Sequence, residues 1–187
     1  MAVITIKKNQ DFTDYSTGWK ELTIISAEKG KYQNEKATKY IDLRFEGYPE
    51  NLKLRLHQKF NKTTKEEFCV TRAFRYTNSG IKEIAESEGD YRVEIETNPE
   101  HLIGCKINAY FYKNQKGYTD ISDNILPAEP FENQIEKWDE KKIEDSKSYT
   151  LKNNIKPYIP NQDEVHGPVR QGNTDVDSDN SDYGDDW

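Results

Sequence analysis

Two short stretches of the chain alternate apolar and polar residues with a period of two. Residues 39–46 set Ile41, Leu43 and Phe45 on one side and Tyr40, Asp42 and Arg44 on the other. Residues 52–58 repeat the pattern, with Leu52, Leu54 and Leu56 opposed to Lys53, Arg55 and His57. Successive strand side chains point to opposite faces, so each stretch predicts a strand buried on one side only. Gly47-Tyr48-Pro49-Glu50-Asn51 between them reads as a turn, which makes the pair a hairpin. Upstream, residues 19–28 predict a first strand, followed by a polar, basic loop from Gly30 to Lys36. Downstream, Tyr91, Val93 and Ile95 alternate with Arg92, Glu94 and Glu96. A longer run over 102–112 puts Ile103, Cys105, Ile107, Ala109 and Phe111 on one face and Lys106, Asn108, Tyr110 and Tyr112 on the other. Asn114-Gln115-Lys116-Gly117 then turns the chain into a strand from Tyr118 to Ile121.

Between the third strand and the run at 91–96 the period changes. Thr63 and Thr64 each precede a glutamate by three residues (Glu66, Glu67), the spacing of a capping box. Phe68, Cys69, Ala73 and Phe74 form the apolar stripe of one helix, Ser79-Gly80 ends it, and Ile81 to Ala85 add a further turn. The predicted fold is therefore mainly β: a five-stranded OB-fold barrel with one helix between strands three and four. After Pro127 and Pro130, Phe131, Ile135 and Trp138 recur at helical spacing in a charged run to Lys147, which predicts a C-terminal helix that docks on the barrel or binds a partner. The expected organisation is a barrel domain over 1–127, a helical extension and linker over 128–160, and a disordered acidic tail over 161–187.

Charge divides the chain more sharply than hydropathy does. Residues 161–187 hold eight acids and one base, and so carry the whole formal charge of −7, while residues 1–160 are balanced. Between Lys29 and Arg75 there are twelve bases against six acids. An acidic average thus conceals a basic region, and net charge informs only segment by segment. The N-terminus lacks the basic start and apolar run of a signal peptide, and no stretch has the ~20 apolar residues of a membrane span. Cys69 and Cys105 form no CxxC pair and read as buried free thiols. A cytoplasmic protein is expected.

Cations interleaved with aromatics are what a single strand of nucleic acid requires, because cations neutralise phosphates and rings stack on any base. The outward set Tyr40, Arg44, Lys53, Arg55, His57, Lys106, Tyr110 and Tyr112 has that composition, and Lys31, Tyr32 and Lys36 in the first loop repeat it. In an OB-fold the outer surface of strands two and three holds oligonucleotides. These eleven residues are the candidate DNA-binding set. The tail ends Asp182-Tyr183-Gly184-Asp185-Asp186-Trp187, an aromatic on an anionic tether that suits a hydrophobic pocket rimmed with bases. Asp182, Tyr183, Asp185, Asp186 and Trp187 are the candidate partner-binding residues.

With Lys39 to Asn51, the segment from Leu102 through Tyr118, and the acidic, aromatic-ended tail, the chain resembles the single-stranded DNA-binding proteins of tailed bacteriophages, and more loosely the bacterial ones. The resemblance covers roughly residues 15–127 and the last dozen. It implies sequence-independent binding and protection of single-stranded DNA during phage replication, recombination and repair in the cytoplasm of an infected bacterial host. It also implies a tail that recruits replication or recombination proteins and competes with DNA. Bacterial tails usually end in Phe after Pro or another apolar residue; this one ends in Trp after two Asp, which leaves the partner open. The oligomeric state is open too, a homodimer included. No Gly-rich phosphate loop, HExxH, GxSxG or zinc spacing occurs, and His57, His101 and His166 stand in separate segments, so neither an enzyme nor a cofactor is expected. The competing readings are a DNA-mimicking adaptor that acts through its tail, and a metal-dependent nuclease.

Overall fold

The structure is a computed structural model in which residues 15–33 and 37–153 are described. Lys36, the predicted linker from residue 154 onward and the whole of the predicted tail, Trp187 included, lie outside the described residues. The strands in order are β1 (Gly18–Lys31), β2 (Lys39–Phe45), β3 (Leu54–His57), β4 (Ile81–Ser87), β5 (Asp90–Ile95), β6 (Lys106–Lys113), β7 (Thr119–Ile121), β8 (Leu126–Pro127), β9 (Phe131–Glu132) and β10 (Lys137–Trp138). The helices are α1 (Val70–Tyr76) and α2 (Glu140–Asn153). A main antiparallel sheet runs in the order β3-β2-β1-β6-β7, with β8 also on β6, and β4–β5 and β9–β10 are separate two-stranded ribbons.

The alternating patterns on β2 and β3 decide which face is buried. Ile41, Leu43, Phe45, Leu54 and Leu56 are each at most 3% exposed and join Leu22, Ile24, Ile107, Ala109, Phe111 and Ile121 in one core. Burial at these positions forces the sheet to curl into a half-barrel around them, with Ala73, Phe74 and Leu102 filling one end. No pairing between the edge strands β3 and β7 occurs among the described residues. An ion pair from Lys59 Nζ to Asp123 Oδ2, 2.7 Å, spans that gap just beyond both strands.

β1 is long enough to serve two partners. Its first half, Gly18 to Thr23, pairs with β6, and its second half, Ile24 to Lys31, pairs with β2. A register shift between Ile24 and Ser26 separates the halves. The extra residue reverses the side-chain parity, so Leu22 and Ile24 face the core before it and Ala27 after it.

Four sequence expectations change. Helix α1 is only seven residues, because Glu67, and not Thr63 or Thr64, caps it. The Glu67 carboxylate accepts the backbone N–H groups of Cys69, Val70 and Thr71 at 2.8–2.9 Å. Asn61 Oδ1 meanwhile takes the N–H groups of Thr63 and Thr64 into a turn, and Phe68 is left 47% exposed. Residues 81–85 are strand and not a helical turn, for β4 pairs with β5 through the two-residue turn Glu88-Gly89, both with positive φ (52° and 88°). The strand expected from residue 102 begins at Lys106, after a 3-10 turn over Pro99–Leu102 that leaves Ile103 exposed. The helix expected over 131–147 is shifted along the chain: 131–138 form the β9–β10 ribbon, and α2 starts at Glu140 and runs past Lys147 to Asn153, where the linker is expected. Asn133 Oδ1 accepts from Ile135 N and Glu136 N to make the ribbon turn, and Asp139 Oδ1 accepts from Lys142 N to start α2.

The ribbon and α2 build a second, smaller cluster in which Trp138, Leu126 and Ile143 are buried against Trp19, Tyr76 and Phe131. Both cysteines are free; Cys69 is buried and Cys105 partly so, and burial pushes both thiols up. No helix among the described residues is long and apolar enough to cross a membrane.

Candidate nucleic-acid interface

The outer face of β2 and β3 is organised by one carboxylate. Register pairs Tyr40 with His57 and Asp42 with Arg55, so these four side chains share a patch. Asp42 is 5% exposed, and its two oxygens receive Arg55 in a bidentate grip, Nε to Oδ1 at 2.7 Å and Nη2 to Oδ2 at 2.8 Å. Lys53 Nζ donates to the same Oδ2 at 2.5 Å. Burial alone would raise the Asp42 pKa, but the hydrogen bonds and positive charge of Arg55 and Lys53 outweigh it and hold the carboxyl below its ordinary range. Two cations on one carboxylate leave a local surplus of one positive charge.

That grip fixes the guanidinium over aromatic rings. The Arg55 guanidinium carbon lies 3.8 Å from the Tyr40 ring centroid and 5.5 Å from that of Tyr32, a cation–π arrangement. Arg55 Nη1 also donates to Tyr32 Oη at 2.9 Å. Tyr32 stacks on His57 with centroids 5.8 Å apart and planes 8° from parallel, and the centroids of Tyr32 and Tyr40 are 5.1 Å apart. Gly30, opposite Tyr40 on β1, admits this packing, because a Cβ there would fall 2.3 Å from the Tyr40 ring. Tyr40 therefore lies across the β1 backbone with Arg55 on its face.

The predicted set does not gather in one place. Tyr32, Tyr40, Lys53, Arg55 and His57 meet around Asp42. Arg44 sits further along β2, where it pairs with Glu28 at 2.9 Å while its Nε is buried without a hydrogen-bond partner. Lys31 ends β1 opposite Lys39, on the side of the sheet that carries Ile41 and Leu43, and lines a cleft there. Lys106, Tyr110 and Tyr112 lie elsewhere. Lys106 is opposite Thr23, Tyr110 is opposite Trp19 and Tyr40 is opposite Gly30, so Lys106 and Tyr110 lie seven and eleven residues of β1 away from Tyr40, roughly 23 and 36 Å of strand. Lys106 is paired with Glu21 and Glu129, Tyr110 packs edge-on against Trp19 at 5.5 Å, and Tyr112 Oη donates to Asp120 at 3.4 Å. The expectation of one continuous outer set is thus corrected: alternation gives the face of a strand, and the split pairing of β1 gives the position along it.

Asp42 and Gly30 carry weight that alternation did not reveal. An acid facing two bases across a predicted hairpin is a usable signal for the first, and nothing in the sequence marks the second. In comparisons with known proteins, no family model matches the chain and no curated protein is similar to it.

Proposed function

We propose that the protein binds single-stranded DNA without sequence preference, through the outer face of β2 and β3 of an OB-type barrel. The observation that carries this reading is the Tyr32–Tyr40–His57 group held around the Arg55–Asp42 pair, which offers rings and guanidinium donors in one half-exposed patch. The sheet order β3-β2-β1-β6-β7, with α1 directly after β3, supports the fold assignment, since an OB-fold is a partly open five-stranded Greek-key barrel with its oligonucleotide face on strands two and three. In this reading the protein protects strands during phage DNA replication, recombination and repair in the host cytoplasm, and its acidic tail recruits replication or recombination proteins. Catalysis and cofactors have no part in it.

The test is a fluorescence-anisotropy titration of labelled oligo-dT with the full chain, with duplex of the same length as competitor. Single strands bind and duplex competes poorly. Tyr32→Ala weakens binding by about 1–3 kcal/mol, the contribution of one stacked base. Equal affinity for both forms, or none for either, removes the proposal. The pairing of Lys53 and Arg55 with Asp42, and of Arg44 with Glu28, favours one rival reading: a scaffold whose acidic tail is the active part. The same titration separates the two, because such an adaptor leaves oligonucleotides unbound.

A further inference from the structure

The cations of the outer face are already matched. Lys53 and Arg55 share Asp42, Arg44 has Glu28, and at other places Lys59 has Asp123, Arg75 has Glu136 and Lys106 has Glu21. Lys29, Lys31 and Lys39 differ. Among the described residues no carboxylate forms an ion pair with any of them, and all three are exposed. Together they line a cleft of about 500 Å³ on the inner side of the β1–β2 hairpin, floored by Ile41 and Val70 and flanked by Gln58 and Thr97. Among the described residues no acid lines it.

Lys31 and Lys39 are direct cross-strand partners, and Lys29 follows two residues along on the same side. Like charges directly opposite each other destabilise a strand pair. A bound anion converts that repulsion into attraction, and the uncharged Gln58 and Thr97 supply hydrogen-bonding groups without opposing charge. The same cleft is bounded by Gly30 and Tyr40, the residues whose packing sets the aromatic patch on the other side of the hairpin. One polymer can therefore reach both.

We propose that this lysine cleft is a phosphodiester site, so that a bound strand places bases on Tyr32 and His57 and then passes round the hairpin to put its backbone between Lys29, Lys31 and Lys39. The inference rests on the single-strand reading above and extends it to a second surface.

The experiment compares the full-length protein with a K29A/K31A/K39A variant and a charge-matched control, K62A/K116A/K152A, whose lysines are exposed and outside the cleft. Each is titrated with oligo-dT of about 4 and about 15 nucleotides, spanning the usual coverage of one OB-fold, over a range of salt concentrations. On the longer strand the cleft variant lowers the log–log salt slope by about 2, from three phosphate contacts at roughly 0.7 each, while the control does not. On the shorter strand the cleft variant behaves as the wild type. In thermal melts the cleft variant unfolds no lower than the other two proteins, since it loses exposed lysines and the cross-strand repulsion between Lys31 and Lys39. If the wild type binds but the cleft variant keeps its slope, or loses no more than the control, the cleft has no role and the single-strand reading survives. If the wild type binds neither strand, both fall. A loss seen only with 5′-phosphorylated strands overturns the proposal in favour of a terminal-phosphate pocket.

Discussion

Asp42 shows how one residue can organise a whole patch of surface. Its carboxylate neutralises one of two neighbouring cations and, by gripping Arg55 through both oxygens, sets the plane that covers Tyr40. Asp42→Asn keeps the shape but removes the charge, leaving Lys53 and Arg55 to face each other. A fully buried pair broken in this way costs about 3–5 kcal/mol, but both cations are about one-third exposed and screened by water. The expected loss in urea melts at neutral pH is therefore about 1–3 kcal/mol. The pH dependence has a fixed sign. The folded-state pKa lies below the unfolded one, so the carboxylate's contribution is full above the ordinary carboxylate range and disappears as the pH falls through the depressed value. The wild-type advantage over Asp42→Asn must narrow on acidification, and a gap independent of pH would place the effect outside the ion pair.

At the scale of elements, what was legible followed from how strongly one face is buried. β2 and β3 alternate strictly because each has a single buried side, and their observed burial follows the reading residue by residue, Asp42 apart. Asp42 is covered by its own ion pairs instead of by the core. Weakly buried segments carry no such signal. Ile81 to Ala85 resemble helix and strand equally, since the β4–β5 ribbon buries little, and its Glu88-Gly89 turn puts a glutamate where Asn or Asp is the usual signal. The short α1 and the ribbon at 131–138 depend on side chains accepting from backbone N–H groups, Glu67 and Asn133, which a hydrophobic pattern does not record. The ribbon also yields a prediction. Beyond Ile95, which packs on the core, its tip from Ala85 to Arg92 is mostly exposed, and an isolated two-stranded hairpin has marginal stability of its own. Joining Ile84 to Val93 through Asn-Gly should change unfolding stability by less than about 1 kcal/mol. A loss of several kcal/mol in the same urea melts would mean that the arm braces the half-barrel.

Across the whole molecule, the organising fact is that β1 divides its length between two partners and so spreads the outer surface over both ends of the sheet. At one end the rings and matched cations meet three lysines without described counter-ions; at the other, Lys106, Tyr110 and Tyr112 are held by acids and by Trp19. The first end thus gathers three lysines in one cleft, and residues 161–187 carry a charge of −7 on the same chain. A tethered polyanion has an effective concentration near its own body in the millimolar range, enough to compete with a strand for the cations proposed to take its phosphates. Truncation after residue 160 should therefore tighten oligo-dT binding by about two- to tenfold at low salt. Screening is the control that distinguishes competition from a change in the body. The Debye length falls from about 30 Å at 0.01 M to about 8 Å at 0.15 M, so the difference between full-length and truncated protein must shrink as salt is raised. An affinity gain that persists undiminished at high salt would point to steric exclusion by the tail, and no gain at any salt would remove the competition altogether while leaving the aromatic patch and the lysine cleft to be judged by their own variants.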